Sequence, residues 1–151
     1  MNLCTAPHEA HRSTLHEVIP NPRILVVDDD EAVRTGLRCV LIMEGYEVIT
    51  AHNGFQALAA FRSQPCDLAL IDMNMPLRNG WGAIASLRSL APALPIVIIT
   101  ARPDQRTVAR EAGVELMEKP LDLPLLLRRV GELLSHPRAT ARGPAIASAI
   151  A

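Results

Sequence analysis

Residues 68–76 read Leu68-Ala69-Leu70-Ile71-Asp72-Met73-Asn74-Met75-Pro76. Four apolar residues run without a polar break, then an acid opens a Pro-containing loop that leads to Gly80. This is the pattern of a strand covered on both faces, with a carboxylate at its carboxyl end. The same pattern recurs on either side. Ile24-Leu25-Val26-Val27 runs into the triplet Asp28-Asp29-Asp30, Ile96-Val97-Ile98-Ile99 runs into Thr100, and a later segment runs into Lys119-Pro120. Acids, a hydroxyl and an ammonium, each at the end of a different strand, point to one shared site.

Between these runs the pattern alternates strand and helix five times. The strands are expected at 23–28, 46–51, 67–72, 95–100 and 114–118. Val33, Leu37, Val40 and Leu41 line a first helix that Asp30 can cap and that should end near Gly45. Phe55, Leu58, Ala59 and Phe61 mark a second, and Trp81, Ile84, Ala85 and Leu87 begin a third. Residues 104–112 form a short, polar fourth helix with little apolar face. Leu123, Leu126, Leu127, Val130, Leu133 and Leu134 make a fifth, strongly amphipathic one. Strict alternation implies parallel strands joined by right-handed crossovers, hence a three-layer doubly wound α/β domain over about residues 22–136. The His-rich residues 1–21, which end in Pro20-Asn21-Pro22, are expected to form a flexible extension, and the Ala-rich residues 137–151 a flexible tail.

The bulk numbers agree with one domain. The chain has 151 residues, 49% of them hydrophobic, with a formal net charge of −1, so it can bury an ordinary core but lacks the charge for a broad nucleic-acid surface. The acids bunch at 28–31. Cys39 and Cys66 lie within apolar patterns and are expected to be reduced, buried thiols in a cytoplasmic protein. No apolar run approaches the ~20 residues of a membrane span, and the N-terminus has no signal-peptide core.

In doubly wound sheets, ligands bind outside the carboxyl ends of the strands where strand order reverses. Asp28, Asp29 and Asp72 would meet there, and each close pair repels by roughly 4 kcal/mol at 4 Å in an effective dielectric of about 20. An all-oxygen site of carboxylates and a backbone carbonyl, which Asn74 can supply, suits Mg²⁺. Such an aspartate, beside a metal, Lys119 and the Thr100 hydroxyl, is equipped to attack phosphorus and form an acyl phosphate. Each piece alone has a plainer reading. A strand-end Asp caps a loop, a Thr is structural, Lys-Pro is a solvated turn, and the Asp triplet caps the first helix. Their joint placement in the right order favours the shared site.

Over about residues 23–135 these motifs resemble the receiver domains of two-component response regulators. The resemblance rests on Ile24 to Asp30, Asp67 to Pro76, Gly80, Ile99-Thr100-Ala101 and Lys119-Pro120. It implies a five-stranded flavodoxin-like fold of strand order 2-1-3-4-5. It implies that Asp72 accepts a phosphoryl group from a histidine kinase or histidine phosphotransfer protein. Asp28, Asp29, Asp72 and the Asn74 carbonyl would hold Mg²⁺, which Mn²⁺ could replace, with Asp28 often acting through water. Thr100 would move toward the phosphoryl group and Lys119 would pair with it. Asp30 matches a variable position and is left out of the site. The resemblance further implies a phosphoacceptor switch, with at most slow autodephosphorylation, that signals to a downstream protein.

The chain departs from the family pattern at the output side. Leu116 stands where members commonly carry Tyr or Phe, whose ring turns inward as the Thr moves. Leu121 replaces a common Phe. Thr100 and Lys119 lie 19 positions apart, about one helical turn fewer than usual. Arg102 and Asn74 fall where residues are thought to tune water access to the acyl phosphate; Arg102 can equally be a solvated arginine. Trp81 is expected in the core.

Three readings follow. The first is a stand-alone receiver acting through protein contacts, with no direct nucleic-acid or membrane binding. A homodimer through surplus leucines of the fifth helix is a further option, since Leu125 to Leu127 cannot all point inward. The second is a receiver-like module that acts without phosphorylation, which Leu116 and the short fourth helix favour. The third, an aspartate phosphatase, is opposed by Asn74, whose amide cannot serve as the general acid such enzymes place there. His8-Glu9-Ala10-His11 has metal-ligating types but no second ligand pair.

Overall fold

The computed structural model describes residues 19–74 and 80–136. Its elements alternate in chain order: β1 Arg23–Val27, α1 Glu31–Met43, β2 Glu47–Ala51, α2 Gly54–Ser63, β3 Leu68–Asp72, α3 Gly80–Leu90 and β4 Ile96–Thr100. A 3₁₀ turn, Pro103–Gln105, leads into α4 Arg106–Glu111, then β5 Glu115–Glu118 and α5 Leu123–Ser135. The five strands form one parallel sheet of order β2-β1-β3-β4-β5. The expected fold class and strand order are those observed, and the strand ends fall within one residue of expectation.

The strands read as continuous apolar runs because both faces are covered. Leu25, Val27, Ala69, Ile71, Ile96 and Ile98 face a core shared with Ala57 and Phe61 of α2, Ile84 and Leu87 of α3 and Ala109 of α4. Their neighbours Ile24, Val26, Leu68, Leu70, Val97 and Ile99 face the other way, onto Leu37 and Leu41 of α1 and Leu126 and Val130 of α5. Burying each such Leu, Ile or Val contributes about 1.5–3 kcal/mol.

Local chemistry starts and stops the helices. Asp30 caps α1 by accepting from the amides of Ala32 and Val33, at 2.9 and 3.2 Å. Gly45, at φ 90°, ends it, with the Gly45 and Tyr46 amides donating back to Ile42 and Leu41; only glycine adopts that conformation freely. Asn53 caps α2 and Asp122 caps α5.

Some expected faces turn. In α2 the buried stripe is Gly54, Ala57 and Phe61, whereas Phe55 is 87% exposed. One residue is 100° of helix, so with Gly54 against the sheet its neighbour points outward. Ala59, Ala85 and Val33 are likewise exposed. Cys39 is exposed rather than buried, because it lies midway between Leu37 and Leu41 and hence on the opposite face of α1; Cys66 is buried as expected. In α5, Leu126 is buried and Leu125 exposed. The extension up to residue 18, the His8–His11 motif, Cys4, Met75, Pro76 and residues 137–151 lie outside the described residues.

Candidate phosphoacceptor site

Strand order reverses at β1, whose neighbours are β2 and β3, and a crevice forms beyond the carboxyl ends of β1 and β3. Asp28 follows β1, and Asp72 ends β3. Carboxylate oxygens of Asp28, Asp29 and Asp72 lie within 4.8 Å of one another. Asp28 and Asp72 are buried and Asp29 is exposed. The Lys119 ammonium, after β5, sits 3.3 Å from Asp72 Oδ1. Thr100 ends β4 and is buried. The sheet therefore brings the three acids and the ammonium together and sets Thr100 at the carboxyl end of β4, the strand beside β3.

The same local device holds three of them. The Asp28 carboxylate accepts from the Asp30 amide (2.9 Å), Asp72 from the Asn74 amide (3.0 Å), and the Thr100 hydroxyl oxygen from the Arg102 amide (3.0 Å). Each is a side chain bonding the backbone two residues on, as Asp and Thr do at turns. Asp72 Oδ1 thus faces two donors, an amide and an ammonium. Among the described residues, Asp29 has no such bond of its own.

Electrostatics mark the crevice. Burial, and then the charge and hydrogen bond of Asp72, push the Asp28 carboxyl up to about 6 against the opposing Asp30 amide and Lys119. Crowded carboxylates of this kind are an oxygen-only donor set, and a divalent cation would relieve their repulsion. The donor set fits the Mg²⁺ expected from the sequence.

The tuning and switch positions are also placed. Asn74 is exposed beside Asp72. Arg102 is exposed, and its guanidinium is 3.7 Å from Asp104, a solvated surface pair. Leu116 is half-buried, pairs in register with Ile98, and packs on the core beneath α2, α3 and α4, as does Trp81. Lys119-Pro120 is a cis peptide. Gly80 lies so close to Met73 that a Cβ there would meet its Sδ at 2.6 Å, so the residue after Asp72 is seated against the start of α3. Sequence reasoning missed Arg34, whose Nη1 donates to the Asp28 carbonyl at 2.7 Å. Its spacing from Asp28, six residues on and about one turn into α1, was the available signal.

These features define a doubly wound α/β domain with an acidic, cation-competent crevice facing a lysine. The response regulator receiver domain family matches residues 24–131, and the chain belongs to that family. Response regulator MprA of Mycobacterium avium (strain 104) is 42% identical over 115 residues, which cover 74% of this chain and 50% of MprA. Transcriptional regulatory protein PrrA of Mycobacterium tuberculosis is 36% identical over 126 residues, 82% of this chain and 54% of PrrA. The chain thus spans about half the length of the curated relatives it matches, and the expectation of a stand-alone receiver gains no support from them.

Among solved structures, the non-phosphorylated HemR receiver domain from Leptospira biflexa is 30% identical with a TM-score of 0.72, covering 78% of this chain and 98% of that receiver-domain chain. Response regulator TrrA from Thermotoga maritima, solved with Mg²⁺ and BeF, is 34% identical with a TM-score of 0.68, covering 74% of this chain and 98% of TrrA. The family's usual work is phosphorylation-based signalling in two-component systems. It is a family of phosphoacceptor switches rather than classical enzymes. Among the described residues no helix is long and apolar enough to cross a membrane.

Proposed function

We propose that Asp72 is the phosphoacceptor of a receiver unit spanning residues 22–136. A histidine kinase or histidine phosphotransfer protein would donate the phosphoryl group. The observation that carries this reading is the Lys119 ammonium 3.3 Å from a buried Asp72 carboxylate that lies beside Asp28 and Asp29. In the transfer, an Asp72 oxygen forms the new P–O bond as the P–N bond to the donor imidazole breaks, and the electron pair of that bond stays on the imidazole nitrogen, which takes a proton. Lys119 neutralises charge on the phosphoryl oxygens, and the Thr100 hydroxyl, its oxygen already bonded by Arg102, keeps its proton free to donate to one of them. Asp28, Asp29, Asp72 and the Asn74 carbonyl would hold Mg²⁺ or Mn²⁺, which when bound neutralises the transferring group. With the short amides holding Asp28 and Asp72, these side chains need little rearrangement.

Hydrolysis of the acyl phosphate would be slow, since Asn74 offers no general acid and Arg102 pairs with Asp104. The reading puts the domain in the cytoplasm, with its output going to a downstream protein and homodimerisation as one form of that output. Acetyl phosphate with Mg²⁺ should label the wild type on an acid-stable, hydroxylamine-labile bond and leave Asp72→Asn unlabelled. Equal labelling of the variant would sink the assignment.

One observation favours a second reading, a module that signals without phosphorylation. Leu116 is an apolar, half-buried side chain with no hydroxyl, at the position where the family's aromatic ring reports on the site. Mg²⁺ titration of wild type and Asp29→Ala separates the two: affinity indifferent to Asp29 favours the silent module.

A further inference from the structure

We infer that Arg34 is a positioning residue for the acidic site. Its guanidinium clamps the peptide unit between Asp28 and Asp29, and so sets the direction from which Asp29 presents its carboxylate to a divalent cation. The inference rests on the reading of these carboxylates as a Mg²⁺ site.

The three acids are not held alike. The Asp28 side chain accepts from the Asp30 amide, and Asp72 accepts from the Asn74 amide and faces Lys119. Asp29 is exposed, and its side chain has no partner among the described residues. Its aim is therefore inherited from its backbone. That backbone is anchored on one side by the Asp28 amide, which donates to the Ala51 carbonyl of β2 at 3.1 Å. On the other side, the carbonyl of the same residue takes the Arg34 Nη1 bond at 2.7 Å. The Arg34 amide in turn donates to Asp30 at 2.9 Å, so the arginine is fixed to the turn it clamps. It is half-buried and makes no ion pair among the described residues.

A fixed positive charge next to a cation site opposes metal binding by Coulomb repulsion. The hydrogen bond opposes that penalty by preorganising a ligand, and outer-shell partners of this kind are typically worth 10–100-fold in metal affinity. The two effects have opposite signs. Removing Arg34 tightens Mg²⁺ binding if charge dominates and weakens it if positioning dominates.

The test is calorimetric Mg²⁺ titration at neutral pH of wild type, Arg34→Met, Arg34→Lys, Asp29→Asn and the Arg34→Met/Asp29→Asn double variant. Thermal melts and ¹H–¹⁵N spectra are recorded on the metal-free proteins. We expect Arg34→Met to weaken Mg²⁺ about tenfold and to shift the Asp29 amide resonance without metal. Arg34→Lys, which keeps the charge and one donor, should bind within about threefold of wild type. In the Asp29→Asn background the Met substitution should change affinity by less than about twofold, because positions that act through one ligand couple. Unchanged or tighter binding by Arg34→Met overturns the inference, as does an equal loss in the Asp29→Asn background. Should Arg34→Met fail to fold, an Arg34→Lys affinity down tenfold with an unmoved Asp29 amide overturns it. If the wild type takes no Mg²⁺, the metal reading itself falls and carries the inference with it. A wild type that binds Mg²⁺ and an Asp29→Asn variant that still binds it, but more weakly, confine any failure to Arg34.

Discussion

Two regions of the molecule are built in opposite ways. In the crevice beyond the sheet's carboxyl edge, Asp28, Asp72 and Thr100 are buried and each bonds an amide two residues along its own chain. Along β5, an edge strand of the sheet, polar side chains are joined at longer range and with at least one partner exposed. Arg106 pairs with Glu118 and Arg129 with Glu115, 12 and 14 residues apart. These pairs border a groove of about 660 Å³ between α4 and α5. Exposed ion pairs are worth about 0.2–1 kcal/mol and are screened by salt, whereas a buried carboxylate bonded by its own turn cannot re-aim without losing that bond. The crevice is set before any ligand arrives; the β5 face remains adjustable.

The widest gap between the regions should be kinetic. Lys119→Met removes the ammonium 3.3 Å from Asp72 and should slow phosphorylation by acetyl phosphate about 10²-fold, the usual loss for one preorganised donor to a charged transition state. Arg129→Met removes an equally cationic side chain from the β5 face and should leave the rate within about twofold. Comparable slowing by both would erase the distinction.

The same contrast explains what the sequence showed. Turns of the Asp28–Asp30 kind are local, so an apolar run ending in Asp or Thr already implies where the side chain bonds. Asp28, Asp72 and Thr100 were therefore legible, and their meeting with Asp29 and Lys119 followed from parallel strands ending on one side. Helix faces were less so. Phe55 has the apolar character of a core residue, but the sheet takes Gly54 and Ala57, whose small side chains allow close approach. Cys39 sits in an apolar stretch, yet the Leu37–Leu41 pair fixes the buried face of α1. The β5 ion pairs depend on where a long side chain reaches, which no periodicity encodes, and the Arg34 clamp leaves only a six-residue spacing from Asp28 as its trace.

A pH titration should separate the regions next. Asp28, held at about 6 by burial and by Asp72, has a folded-state value above its unfolded one. Its contribution to stability is thus fully present below about pH 4 and is lost as pH rises through about 6. The span corresponds to at most about 3 kcal/mol. Without metal, Asp28→Asn should remove this slope and raise the melting temperature at pH 7 relative to wild type. With metal the sign reverses, because the cation needs the carboxylate ionised: Mg²⁺ affinity should drop about tenfold per pH unit below 6. A pH-independent affinity between 5 and 7 would contradict the assigned ligand. Glu115→Gln on the β5 face should shift stability by less than about 1 kcal/mol, a shift that vanishes at high salt.

The smallest expected effect bears on how the regions communicate. Leu116 lies on β5, its register partner Ile98 two residues before Thr100, so it borders both the groove and the core without touching the crevice. Leu116→Phe should therefore leave the phosphorylation rate within about twofold. The ring has more surface than the leucine and a half-buried site that opens onto the groove. It can swing between core and groove as two discrete rotamers, which a packed interior transmits better than a graded shift. Beryllofluoride with Mg²⁺ should then move amide resonances at Glu115–Glu118 more in Leu116→Phe than in wild type, while shifts around Asp72 stay the same. Equal β5 shifts in both proteins would mean that the leucine already couples the two regions, and that the adjustable face needs no aromatic reporter.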